Sequence, residues 1–354
     1  MSFEVLRKVR RAALALSMLT GLAHVSVSTA AGPRNGLGLL TGNGELFIAG
    51  RDGSDPRRLA SGVTAADSSP RGDRIVIASR GGLRLAYADT GRGHELWTFQ
   101  TASATCRTIA CPEAVTAAYD PAWSPTDDRI AFAAGAGTGD PAGRGDGGAS
   151  WRTKIFTISS GGTGLTPLTA APSGEAEPAW SPDGSSIAFT SFSDGEFSIL
   201  VATPGSATPP GRVSPAGIMA SAPVWSPTGG HVAFLGNGCN LYVVNADGSE
   251  SRQVSNESMC VRGGVSWSPD GSLLALASSG ARGGGAGIYV AAADGSSHRQ
   301  LTSEDDSAPS WSPDGSSIAF VRTGVAHDGV YAISPDGGSL RAIAENHVGT
   351  PFWT

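Results

Sequence analysis

Pro178-Ala179-Trp180-Ser181-Pro182-Asp183-Gly184-Ser185-Ser186-Ile187-Ala188-Phe189 reads as two short strands around a tight turn. Serine and aspartate bond their own backbone, proline presets φ, and glycine admits the positive φ that a reversal needs. The same core recurs at Trp123-Ser124-Pro125, Trp225-Ser226-Pro227, Trp267-Ser268-Pro269 and Trp311-Ser312-Pro313, and a last tryptophan stands at Trp353. Successive separations are 57, 45, 42, 44 and 42 residues, and Ser68-Ser69-Pro70 supplies an earlier copy without the indole. A period near 42 residues is the mark of an architecture whose units bury their faces against each other.

Comparison of the copies assigns the strands. Ile187-Ala188-Phe189 has equivalents in Ile75-Val76-Ile77, Ile130-Ala131-Phe132, Val232-Ala233-Phe234, Leu274-Ala275-Leu276 and Ile318-Ala319-Phe320, which predicts a second strand in every unit. A third follows in Leu241-Tyr242-Val243-Val244, Ile288-Tyr289-Val290 and Val330-Tyr331-Ala332-Ile333, each closed by an Asp-Gly turn. Arg252-Gln253-Val254, Arg299-Gln300-Leu301 and Arg341-Ala342-Ile343 then alternate polar and apolar side chains, as an outer strand with one wet face does. Four antiparallel strands per unit make one blade of an all-β propeller. The tryptophans at 123, 180, 225, 267, 311 and 353 are assigned to packing between blades, where a large ring fills the space between neighbouring sheets.

The ends predict how the ring closes. Gly349 to Thr354 carries an inner strand with nothing after it, while Leu37–Leu40, Leu46–Ala49, Asp52-Gly53-Ser54 and Arg57-Arg58-Leu59 supply the second strand, third strand, turn and outer strand. The two ends are expected to share one blade, giving seven blades. The alternative is six, if the unit without tryptophan from Ala65 to Ala110 folds differently.

The composition agrees. The 354 residues include 50 glycines and 22 prolines with no Gly-X-Y period, and 40% are hydrophobic, which suits many short strands joined by turns. Arg7, Lys8, Arg10 and Arg11 precede an apolar run from Ala12 to Val27, and Ser28-Thr29-Ala30 gives a small-x-small site. Residues 1–30 are therefore expected to be a cleaved signal peptide and 31–354 a single propeller domain outside the cytoplasm: periplasmic, at the cell surface or secreted. No later segment is apolar enough to span a bilayer. Cleavage leaves 21 basic against 30 acidic residues, a balance of −9, with Lys154 the sole lysine, which argues against a nucleic-acid partner. Cys106, Cys111, Cys239 and Cys260 all lie in the exported part and are expected to form two disulfides, with the sequence-local pairing favoured and connectivity left open.

The pattern Pro-x-Trp-Ser-Pro-Asp-Gly-x-x-Ile-Ala-Phe, with its downstream Tyr-Val and Asp-Gly-Ser, resembles the propeller repeat of the TolB-like family. The resemblance implies a propeller and an envelope setting. The same repeat also builds the propellers beside prolyl-oligopeptidase-type hydrolase domains and those of oligogalacturonate-lyase-like enzymes.

Catalytic motifs are absent: no Gly-x-Ser-x-Gly elbow and no paired-histidine zinc motif occurs, and His94, His231, His298, His327 and His347 are scattered. The binding candidates are the charged residues before the tryptophans, where inner strands begin. Asp120, Glu175, Glu177, Asp305 and Asp306 are expected to form an acidic channel rim, interrupted by Arg262 and His347. Hard carboxylate oxygens at Asp120, Glu177 and Asp306 suit calcium. The expected function is a monomeric, non-enzymatic scaffold for an envelope or extracellular protein or a basic peptide; the alternative is a channel-centred polysaccharide lyase or hydrolase on the same propeller.

Overall fold

The computed structural model describes residues 36–79, 82–87, 115–126, 128–136, 153–169, 174–255, 258–323, 328–345 and 349–353. These form seven sheets around a ring, with no helix among the described residues. Six sheets show four antiparallel strands. The second shows three (Val63–Ser68, Arg74–Ser79 and Gly82–Tyr87), and the run after Tyr87 lies outside the described residues. The unit that lacks a tryptophan thus forms its own blade, and the propeller has seven blades, not six.

Closure occurs between the two ends. Gly349–Trp353 is the inner strand of blade 1 and pairs antiparallel with Gly36–Thr41, Leu37 opposite Trp353 and Thr41 opposite Gly349. Leu46–Gly50 and Arg57–Ala60 complete this sheet. No open sheet edge is left between first and last strands.

The remaining inner strands are Val63–Ser68, Val115–Trp123, Gly174–Trp180, Ala220–Trp225, Val261–Trp267 and Asp306–Trp311, for blades 2 to 7. Each predicted second strand pairs with its inner strand in the expected register, for instance Trp180 opposite Ile187 and Trp225 opposite Val232. All six tryptophans are at most 8% exposed. Trp180 packs with Ala122 and Ala131 of the preceding blade, and its indole N–H donates to the Ala122 carbonyl at 3.1 Å. Trp267 repeats the bond to the Val224 carbonyl at 3.1 Å. The ring therefore has a polar as well as an apolar part in joining blades.

The motif glycine has a second use besides its turn. Gly184 adopts φ +68°, which disfavours any other residue, and a Cβ there would run into the Thr126 hydroxyl of the preceding blade, so the turn docks closely against that blade. Near the rim of the ring Gly53, in the Asp-Gly-Ser turn of blade 1, meets the Ile343 carbonyl of the outer strand of blade 7 in the same way.

Candidate functional site

Antiparallel strands put connections alternately at the two ends of a blade. The turns after inner and third strands lie on one face, and the connections after second and outer strands lie on the other. The two faces differ in kind.

On the turn face, polar groups are consumed by the repeat. Ser268 Oγ donates to Asp270 Oδ1 at 2.6 Å, which also accepts the Ser272 N–H at 3.0 Å; Asp314 is held identically by Ser312 and Ser316. Hydroxyl donation from Ser181, Ser268 and Ser312 holds Asp183, Asp270 and Asp314 below the usual carboxylate range. Arg252 Nε donates to the Ala293 carbonyl at 3.0 Å and Arg299 Nη1 to the Asp336 carbonyl at 2.7 Å, so outer-strand arginines clasp the next blade's turn.

The other face carries the variation. Its second-to-third connection is two residues in blade 4 (194–195), six in blade 6 (280–285) and sixteen in blade 3 (137–152), the last of these outside the described residues. The inner strands begin here, and the described candidate residues Asp120, Glu175, Glu177, Arg262, Asp305 and Asp306 lie on those strands or just before them.

A shared distortion shapes those strand starts. Asp120, Glu177, Ala222 and Ala308, each three residues before its tryptophan, have φ of 47°, 56°, 54° and 52°, and Gly264 at the equivalent place has φ 111°. Pairing with the second strand slips at these points, as between Ala176 and Ala179 or Ser307 and Ser310. Each is a β-bulge, and in four of the five blades a proline follows: Pro121, Pro178, Pro223 or Pro309. The prolines were legible as edge residues; the left-handed residue before them was not.

Glu177 uses its bulge to reach the neighbouring blade. Its Oε2 accepts the Ala222 N–H at 2.7 Å and the Thr190 hydroxyl at 2.7 Å. Asp120 occupies the same place one blade earlier. Both are half-buried.

Glu175 and Asp306 correct the expectation of an open rim. Glu175 is 1% exposed; its carboxylate accepts the Ile155 N–H at 3.1 Å and the Thr169 hydroxyl, a place taken by a serine or threonine hydroxyl at Ser214, Ser255 and Thr302 in the next three blades. Asp306 is 2% exposed and forms a paired bond with Arg322, Nε to Oδ1 at 2.7 Å and Nη2 to Oδ2 at 2.8 Å. In register, both acids stand where Val63, Ala118 and Ala220 are buried in other blades. Their charge is therefore spent inside the fold. The expected calcium set at Asp120, Glu177 and Asp306 does not assemble, because Arg322 holds Asp306, and no three histidine, cysteine or acidic side chains among the described residues are grouped to ligate a metal.

Asp305 is exposed, and its carbonyl takes the Thr323 N–H. Arg262 is exposed, with Nε 3.5 Å from Cys260 Sγ. His347 lies outside the described residues. Cys239 and Cys260 form a disulfide, and although they fall within one sequence repeat, they join the second-to-third connection of blade 5 to the start of the inner strand of blade 6. Cys106 and Cys111 are outside the described residues.

Two polar residues escaped the reading of the sequence. Asp67 Oδ2 accepts the Trp123 N–H at 2.6 Å and Ser266 Oγ accepts the Trp311 N–H at 3.1 Å, each from the position just before its own motif to the next blade. Their signal is a polar residue immediately before the motif start, where Ala122, Ala179 and Val224 stand elsewhere.

Residues 206–351 match the model of the TolB β-propeller domain family. No curated protein sequence matches the chain. Among solved structures, TolB from Acinetobacter baumannii is 18% identical, with a TM-score of 0.53 over 90% of this chain and 66% of that one. An oligogalacturonate lyase in complex with manganese is 15% identical, with a TM-score of 0.60 over 78% of this chain and 79% of that one. A puromycin-hydrolyzing peptidase of Mycobacterium tuberculosis, also 15% identical, gives a TM-score of 0.66 over 94% of this chain but only 55% of that one. At these identities the likeness is one of fold. The family match over residues 206–351, together with the blade repeat seen throughout the ring, makes the chain similar to the TolB-like β-propeller repeat proteins.

Proposed function

We propose that this propeller is a non-enzymatic binding scaffold outside the cytoplasm, and that it receives a protein or peptide segment on the face where its inner strands begin. The observation that carries this reading is the contrast between faces: Ser-Pro turns whose aspartates and serines bond one another on one, and inner-strand starts with exposed charge at Arg262 and Asp305 on the other. The Cys239–Cys260 disulfide supports an oxidising compartment. No helix among the described residues is long and apolar enough to cross a membrane. The acidic balance of residues 31–354 favours a partner with a basic segment.

Capture from envelope extracts tests this. The chain from residue 31 is expected to retain a protein that elutes with salt, because screening weakens exposed charge pairs. An Asp120→Asn, Asp305→Asn variant with unchanged melting should retain less of it. Equal capture by parent and variant would place the contact elsewhere.

A further inference from the structure

Described residues of blades 2 and 3 enclose an apolar groove beside the third strand of blade 2. Leu83 and Leu85 form one wall and Ile130 and Ile158 of blade 3 the other, and Arg84, Ser160 and Gly162 also line it. In blades 3 to 6 an apolar residue of the outer strand donates its N–H to the third strand. Leu168 donates to the Ile155 carbonyl at 2.8 Å, Val213 to Ile199 at 3.0 Å, Val254 to Leu241 at 2.8 Å and Leu301 to Ile288 at 2.8 Å. Donor follows acceptor by 13 residues, or by 14 in blade 4. Leu83 holds the acceptor position of blade 2, because it pairs with Ala78 as Leu241 pairs with Leu235. Residues 88–114 lie outside the described residues, and Leu96 stands 13 places after Leu83 in the sequence.

We infer that the segment His94-Glu95-Leu96-Trp97 docks along the third strand of blade 2 as its outer strand, with Leu96 seated in this groove. The flanking sequence keeps the register. Asp89, six residues after Leu83, stands where Asp247, Asp294 and Asp336 open the Asp-Gly turns. Glu95 then falls opposite Arg84, as Gln253 does opposite Tyr242 and Gln300 opposite Tyr289, and unlike charges directly across a ladder attract. His94 takes the place of Arg252, whose Nε donates to the Ala293 carbonyl of the next blade. Its counterpart there is the Ser160 carbonyl, since the Ser160 N–H bonds the Asp128 carbonyl as the Ala293 N–H bonds that of Ser272. Gly162, buried at φ +81°, fits the same contact: a Cβ on its equivalents Gly248 and Gly295 would stand 3.3 Å from Val213 Cα and 3.2 Å from the Gln253 carbonyl, on the preceding outer strands. Burial of the Leu96 side chain between the apolar walls drives the docking. Arg107-Thr108-Ile109 also has the Arg-x-apolar pattern of an outer strand, but Ile109 stands 26 residues after Leu83, twice the spacing of the other blades.

Methyl NMR and hydrogen exchange of the chain from residue 31 test it. Nuclear Overhauser contacts between the Leu96 methyl groups and those of Leu85 and Ile158 are expected in the parent, and their absence overturns the inference. The Leu85 amide stands where Val243 and Val290 pair with Arg252 and Arg299, so it reports the docked strand. Leu96→Ala should speed its exchange about tenfold or more and lower the melting temperature by about 4 °C or more, while Ile109→Ala should leave that exchange unchanged. Faster Leu85 exchange in Ile109→Ala and not in Leu96→Ala would give the groove to residues 107–109 and overturn the inference. Protection of Leu85 that rises with protein concentration would give it to a second copy of the chain, with the same result. Should Leu96→Ala not fold, the methyl contacts of the parent decide alone.

Discussion

The indole N–H of Trp353 donates to the carbonyl of Ser310 at 3.2 Å, across the junction where the last inner strand meets blade 7. This is the bond that Trp180 makes to Ala122 and Trp267 to Val224 inside the ring. On its other side the Trp353 carbonyl accepts the Ser68 hydroxyl at 3.2 Å, so blade 1 is tied to both neighbours through one residue. The seam between the termini is built like the junctions at Trp180 and Trp267.

Trp353→Ala should therefore be as costly as loss of an internal tryptophan. Removing a buried ring and its bond is expected to destabilise by about 3 to 5 kcal/mol, and melting should fall by roughly 5 °C or more in a domain of this size. Trp180→Ala serves as the internal control. A Trp353→Ala melt within about 2 °C of the parent, beside a large loss for Trp180→Ala, would show that the seam is not carrying its share.

The fold was legible because the repeat states each strand several times over. Ile187-Ala188-Phe189 alone is ambiguous, but six copies in one register with Asp-Gly turns between them are not. The shared blade was legible because Leu37–Leu40 and Gly349–Trp353 are complementary fragments of the same unit. The site was legible only in part. Proximity in sequence to the inner strands gathered these acids at the strand starts, but it did not separate Glu175 and Asp306, which turn into the interior, from Asp305, which does not. That distinction depends on partners far along the chain, Ile155 and Arg322, and on a bulge that shifts side chains between faces. The disulfide was readable as a pair within one repeat, whereas its effect of joining two blades follows from where the repeat boundary falls relative to the blade.

The Asp306–Arg322 pair offers a double-mutant test. Asp306 has no side-chain exposure and Arg322 only 9%, and the bonded carboxylate raises the guanidinium pKa further. Arg322 also lies over the Phe320 and Tyr331 rings at 5.5 and 5.0 Å. Asp306→Ala alone leaves the buried cation facing the exposed Glu304 at 3.3 Å in place of its paired bond and should cost about 3 kcal/mol, whereas Asp306→Ala with Arg322→Met should recover much of the loss. Equal stability of single and double variants by denaturant unfolding would refute the account.

Reduction of Cys239–Cys260 should loosen the loop face without opening the ring. The bridge closes a separation of 21 residues, for which chain entropy predicts about 3 kcal/mol. Cys239→Ser with Cys260→Ser is expected to lower the melting temperature and to speed hydrogen exchange at Val261 and Ser279, whose N–H groups bond the Cys239 and Cys260 carbonyls. Unchanged exchange at both amides would mean that the disulfide adds nothing to that junction.

The pH dependence comes from the turn face. Serine hydroxyls and N–H groups hold Asp183, Asp270 and Asp314 in the Trp-Ser-Pro turns, and Asp52, Asp247, Asp294 and Asp336 in the Asp-Gly turns, below the unfolded value of 3.8. A depressed folded pKa means that the unfolded chain binds protons first. The stabilisation is then complete above the unfolded value and is lost as pH falls through the folded ones. Melting should be nearly flat from about pH 5 to 8 and drop progressively below about pH 4. Replacing Ser181, Ser268 and Ser312 by alanine removes the largest cause of the shift at three of the turns, so the variant should be less stable at pH 7 but lose less on acidification. A parent and a triple variant with parallel melting curves from pH 7 to pH 3 would mean that these hydrogen bonds do not set the acid response.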